Sequence, residues 1–161
     1  MGSPLEQRGR PKGPLRLLLR TPIALYRMRL GFLFGRRFLL LEHVGRSSGR
    51  PRYAVVEVVD YDSSTGRYWV CSGWGRHADW YRNIVKTPSV HLTVGAHRVQ
   101  AVARELPEGE AAAPLARYAA AHPRALRKLA ELMLSEAPPG LDETVRQLAR
   151  TVPVIELSAH S

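Results

Sequence analysis

Apolar residues in the middle of the chain come in short runs cut by turn residues, and after residue 108 they spread into longer alanine- and leucine-rich stretches. The short runs read as strands: Arg37–Val44, Tyr53–Tyr61, Arg67–Ser72, Ser89–Val94 and Arg98–Glu105. Val90, Leu92 and Val94 alternate with Ser89, His91 and Thr93, which is the pattern of a half-buried strand. Tyr53–Tyr61 is nearly continuous valine, as expected of a strand covered on both faces. Asp62-Ser63-Ser64-Thr65-Gly66 supplies a hairpin turn and Gly95-Ala96-His97 another.

Helical signals sit around this block. Thr21-Pro22 is a cap followed by proline at a first helical position, predicting a helix over residues 22–34. A second, short helix starts with Asp79 as N-cap and stops at Thr87-Pro88. Residues 108–149 read as helical, with Pro114, His122-Pro123 and Pro138-Pro139-Gly140 as punctuation, and residues 152–157 as a closing strand. Antiparallel strands in meander order, one inserted helix and flanking helices predict an α+β fold, a small barrel with helices on its outside. Residues 1–14 read as a flexible basic tail and 15–161 as one domain whose residues 15–36 form an N-terminal helical segment.

Composition narrows the picture. A chain of 161 residues buries roughly two-thirds of its unfolded surface and needs no disulfide or metal staple. One cysteine, Cys71, and no signal-peptide pattern predict a reduced, cytoplasmic setting, with Cys71 as inert packing in its strand. Six histidines, at 43, 77, 91, 97, 122 and 160, show no metal-ligand spacing, so no metal is expected. No nucleophile elbow or Ser-His-Asp order is present either.

Charge is concentrated at one end. Residues 1–52 hold Lys12 and eleven arginines against Glu6 and Glu42, which accounts for the whole formal charge of +10; residues 53–161 balance twelve basic against twelve acidic residues. Such a block suits nucleic acid, a membrane surface or an acidic small molecule. Aromatic residues interleaved with the charges and recognition motifs are lacking, so no nucleic acid is expected. The leucine- and arginine-rich residues 15–37 suit a peripheral contact with an anionic membrane face, or a helix packed on the barrel.

The segment with most chemistry is Gly45-Arg46-Ser47-Ser48-Gly49-Arg50-Pro51-Arg52. Three guanidinium groups, two hydroxyls and the amides of a tight turn make an anion grip, although a polar hairpin loop would have the same composition. Glu57 interrupts the valine strand, where a bare carboxylate is costly; pairing with an arginine, or a pocket role, would explain it. Trp80 shares a helix face with Ile84 and is expected in the core, leaving Tyr81 as the pocket-facing aromatic.

That turn, together with Ser72-Gly73-Trp74-Gly75, Trp80-Tyr81-Arg82-Asn83-Ile84, Pro88 and Val90-His91-Leu92-Thr93-Val94-Gly95, resembles the deazaflavin-dependent nitroreductase family. The resemblance implies a split, flavin-reductase-like antiparallel β-barrel that uses reduced coenzyme F-420 to pass a hydride to a small acceptor such as a quinone, nitroaromatic or enone. It implies that Arg46, Ser47, Ser48, Gly49 and Arg52 hold the phosphate and glutamate tail. Ser72, Gly73, Trp74 and Gly75 would lie along the ring, with Trp80, Tyr81 and Asn83 bracing that loop and closing the pocket. Tyr81, Ser72 or solvent would give the proton. The family often carries a basic residue where this chain has Ser47 and a proline where it has Val55, and Tyr118 is the sole tyrosine after Tyr81. An FMN-binding barrel enzyme is the runner-up, a non-enzymatic binder of anionic lipid or nucleic acid the reading from another class, and a homodimer is expected by analogy.

Overall fold

The computed structural model describes residues 37–73 and 75–160. The predicted basic tail, the 22–34 helix, the 15–37 stretch apart from Arg37, and Trp74 lie outside the described residues.

Six strands close into an antiparallel barrel: β1 (Phe38–Val44), β2 (Pro51–Asp62), β3 (Arg67–Cys71), β4 (Ser89–Val94), β5 (His97–Glu105) and β6 (Val154–His160). Their order round the barrel is β1-β2-β3-β6-β5-β4, with β4 paired back onto β1. The closing strand falls where the sequence puts it, and it links β3 to β5. Closure leaves no unpaired sheet edge.

Strand alternation fills the interior. Leu39 and Leu41 of β1, Val56 of β2, Val70 of β3, Leu92 of β4, and Ile155 and Leu157 of β6 meet there. Each fully buried leucine or isoleucine contributes about 2 kcal/mol. The opposite faces of β2, β3 and β6 are covered by helices α2 (Glu108–Ala121), α3 (Pro123–Met133) and α4 (Leu141–Thr151), through Val59, Trp69 and Val154. β2 is covered on both faces only in its middle, where Val56 faces the barrel interior and Val59 the helices; the rest of the strand is partly buried or exposed, which corrects the expectation of full cover.

Helix α1 (Asp79–Lys86) lies between β3 and β4 in the chain and sends Ala78, Tyr81 and Ile84 into the barrel cluster. Two expectations about this helix are corrected. Asp79 is its first helical residue rather than the cap, because Ala78 holds the extended N-cap position. Tyr81 is buried and Trp80 only half-buried, because the core-facing phase runs through Ala78, Tyr81 and Ile84. Pro114 is not a break: α2 runs through it, with Ala111, Leu115 and Tyr118 packed on the same helix offsetting the lost backbone bond.

Glu57 has the arginine partner expected of it. Its Oε1 lies 3.3 Å from Arg37 Nε and also accepts the Tyr118 hydroxyl at 2.7 Å. Cys71 packs on the helix side, and burial, then the Glu57 charge, pushes its thiol up to about 12. Among the described residues no helix is long and apolar enough to cross a membrane.

Candidate functional site

The β1–β2 turn is closed by its own backbone. Gly45 donates to the Arg50 carbonyl at 2.8 Å, and Gly49 donates to the Gly45 carbonyl at 2.8 Å. Gly49 has φ +68°, a conformation that glycine adopts without steric cost. Gly45 is needed for space: a Cβ there would stand 2.6 Å from Ser48 Oγ. Ser48 Oγ in turn accepts the Arg50 amide at 3.2 Å.

Arg46 ties this turn to α1. Its amide donates to Asn83 Oδ1 at 3.1 Å, and its carbonyl accepts from Lys86 Nζ at 2.8 Å. Its guanidinium reaches the same Asn83 oxygen at 3.0 Å and Asp79 Oδ1 at 3.0 Å. Asp79, Asn83 and Lys86 follow an i, i+4, i+7 spacing, so one stripe of α1 faces the turn. That polar stripe beside a glycine-rich turn was the available sequence signal for Lys86 and for the Asp79 contact.

Asn83 is 3% exposed, and its Nδ2 lies 3.0 Å from His43 Nδ1. With Oδ1 taking two N–H donors from Arg46, the amide nitrogen faces His43, whose Nδ1 must accept and whose Nε2 carries the hydrogen. Burial, reinforced by Arg52 and opposed by Asp79, lowers the His43 pKa to about 4, so the ring is neutral at pH 7. In the sequence His43 stands out only as a histidine without ligand spacing. Its inward phase with Leu39 and Leu41 is the signal that places it under α1.

The remaining groups of the turn face outward. Ser47, Ser48, Arg50 and Arg52 are exposed, and neither Arg50 nor Arg52 pairs with a carboxylate among the described residues. The result is a turn held rigidly from below and positive above.

The second loop leads directly into α1. Ser72 is fully buried, and its hydroxyl donates to the Gly75 carbonyl at 2.6 Å while Gly75 donates back to the Ser72 carbonyl at 3.0 Å. Gly75 has φ +63°, and Gly73 has open space where a Cβ would stand. The Met133 methyl comes within 3.7 Å of the Cβ position of Gly75. Met133 also borders an open cavity of about 490 Å³ lined by Leu134, Pro138, Pro139, Gln147 and Thr151.

Tyr81 donates its hydroxyl to Glu105 Oε2 at 2.5 Å, and Arg76 holds the other carboxylate oxygen at 2.6 Å. Burial, then Glu105, raises the phenol pKa. Of the residues expected at the site, α1 therefore brings Arg46 and Asn83 together and joins them through the chain to Ser72–Gly75. Trp80 makes no polar contact there among the described residues.

The model of the F420H(2)-dependent quinone reductase family matches residues 18–128, a span that includes both motifs and the helix joining them. The chain belongs to this family. As an F420H(2)-dependent quinone reductase family member it is an F420-dependent oxidoreductase. Solved structures show the same split-barrel fold. An F420-H2 dependent reductase (FDR-A) is 21% identical, with a TM-score of 0.55 over 77% of this chain and 96% of that one. A domain-swapped dimer is 20% identical, with a TM-score of 0.54 over 86% and 100%. A protein of unknown function from Agrobacterium tumefaciens is 18% identical, with a TM-score of 0.54 over 88% and 56%. No curated protein sequence matches the chain.

The residues present fit such a cofactor. Exposed cations with no carboxylate partner among the described residues, above a braced turn, suit an anionic tail, and a loop whose Gly73 leaves open space suits the close approach of a flat ring.

Proposed function

We propose that this family member reduces a quinone or a similar small carbonyl or nitro acceptor with F420H2. The observation that carries the reading is the turn itself: Arg50 and Arg52 are exposed and have no acidic partner among the described residues, on a loop anchored through Arg46 to the helix that continues from Ser72–Gly75. In this reading Ser47, Ser48, Gly49 and Arg52 hold the tail, Arg46 and Asn83 support the turn, and Ser72, Gly73, Trp74 and Gly75 face the ring. Trp80 and Tyr81 close that side.

The bound deazaflavin supplies the hydride. The protein binds, orients and excludes water, a task that asks for no catalytic dyad. Ser72 and Tyr81 have both committed their hydroxyl hydrogens, to the Gly75 carbonyl and to Glu105. This supports solvent as the source of the proton, with the two side chains shaping the pocket. The acceptor enters from the cavity bordered by Met133, whose methyl lies 3.7 Å from the Cβ position of Gly75. A lipid-soluble quinone also suits residues 15–37 resting on an anionic membrane face, and a homodimer belongs to the same reading.

The test is turnover: purified protein with F420H2 and a soluble quinone, followed by the return of oxidised F420 absorbance. Quinone-dependent oxidation that scales with enzyme supports the reading. A protein that purifies with bound flavin and ignores F420H2 contradicts it.

A further inference from the structure

We propose that His43 is a positioning residue for the anion-binding turn, acting through Asn83 to present Ser47, Ser48, Arg50 and Arg52; the inference rests on the cofactor reading above.

His43 occupies the third inward position of β1, after Leu39 and Leu41, and is 4% exposed. Its Nδ1 accepts from Asn83 Nδ2 at 3.0 Å, and its Nε2 is buried with no partner among the described residues. A buried N–H without an acceptor destabilises the fold, and a leucine continuing the row would avoid that loss. The imidazole therefore needs a compensating use, and the one contact it makes supplies it. With Nδ1 unprotonated, its lone pair reinforces the orientation in which Asn83 Oδ1 faces Arg46. Were the amide reversed, its NH2 would confront the Arg46 amide and guanidinium, donor against donor, and the turn would lose both bonds.

The chain of contacts is unbroken: His43 Nδ1 orients Asn83, Asn83 Oδ1 holds the Arg46 amide, and Asp79 and Lys86 take the rest of Arg46. Arg46 is thereby bound on all sides by α1, and its charge faces Asp79. The groups left for a ligand are those beyond it in the turn. His43 is shut off from solvent and stands opposite Arg52 in the β1–β2 ladder, so its effect on the Arg46 end of the turn passes through Asn83.

Two substitutions separate positioning from general packing. His43→Asn keeps an acceptor oxygen where Nδ1 stands, and His43→Leu removes the acceptor while filling the row. In the cofactor-free full chain, hydrogen exchange at the Arg46 amide reads the turn directly, and a thermal melt confirms folding. Loss of one hydrogen bond predicts roughly tenfold faster Arg46 exchange and roughly tenfold weaker F420 binding in His43→Leu, at an unchanged or higher melting temperature. His43→Asn should stay within about threefold of the parent in both. Unchanged Arg46 exchange in His43→Leu, or a folded His43→Asn as impaired as His43→Leu, would overturn the proposal. Exchange needs no cofactor, so a parent that fails to bind F420 counts against the functional reading and leaves the exchange result to decide the role of His43.

Discussion

A single oxygen of Asn83 receives both the backbone amide of Arg46, at 3.1 Å, and its guanidinium, at 3.0 Å. Two segments 37 residues apart are joined there, so the glycine-rich turn cannot move without α1. Asn83→Leu removes the acceptor and leaves two donors and His43 unmatched in a buried place. The expected loss of stability is about 2–4 kcal/mol, read from urea denaturation. A loss below about 0.5 kcal/mol would mean that water replaces the asparagine.

Acid should weaken the protein through His43. Its pKa falls from 6.5 to about 4 on folding, so between those values the unfolded chain holds the extra proton. Stability therefore decreases as pH drops from about 6.5 towards 4, by about 3 kcal/mol in total. Denaturation at a series of pH values should show this slope in the parent and a shallower one in His43→Asn. Equal slopes would assign the acid sensitivity to other groups.

Tyr81 is held as a donor to Glu105, with Arg76 on the other oxygen. Tyr81→Phe should therefore leave the turnover rate within about threefold of the parent and cost about 1 kcal/mol of stability. Turnover slowed by roughly a hundredfold or more would identify the phenol as the proton donor after all.

Much of this was legible beforehand, for a physical reason. The barrel strands, their hairpin turns and the closing strand are marked by alternation and by Gly, Ser and Asp at turns, signals local enough to survive folding. The two motifs marked both loops. What escaped was contact across sequence distance. Trp80 and Tyr81 exchanged their expected depths because the phase of a two-turn helix depends on which residue the barrel mouth accepts. The partners of Arg46 lie more than thirty residues away, and no spacing rule reaches that far. His43 was hidden for the same reason, since its partner is forty residues on.

The cavity bordered by Met133 has no residue of the anion-binding turn in its lining and can be filled without touching that turn. Thr151→Trp should raise the KM for a quinone roughly tenfold while leaving the F420 dissociation constant unchanged. Equal effects on both would place the acceptor elsewhere.

The central claim is that the braced turn holds an anionic deazaflavin through its outward cations. Fluorescence titration of oxidised F420 into the parent, Arg50→Ala and Arg52→Ala tests it most directly. Saturable binding by the parent is expected, weakened roughly tenfold or more in Arg52→Ala and less in Arg50→Ala, with affinity falling as salt is raised. Parent binding that is absent, or that neither substitution nor salt alters, would contradict the account.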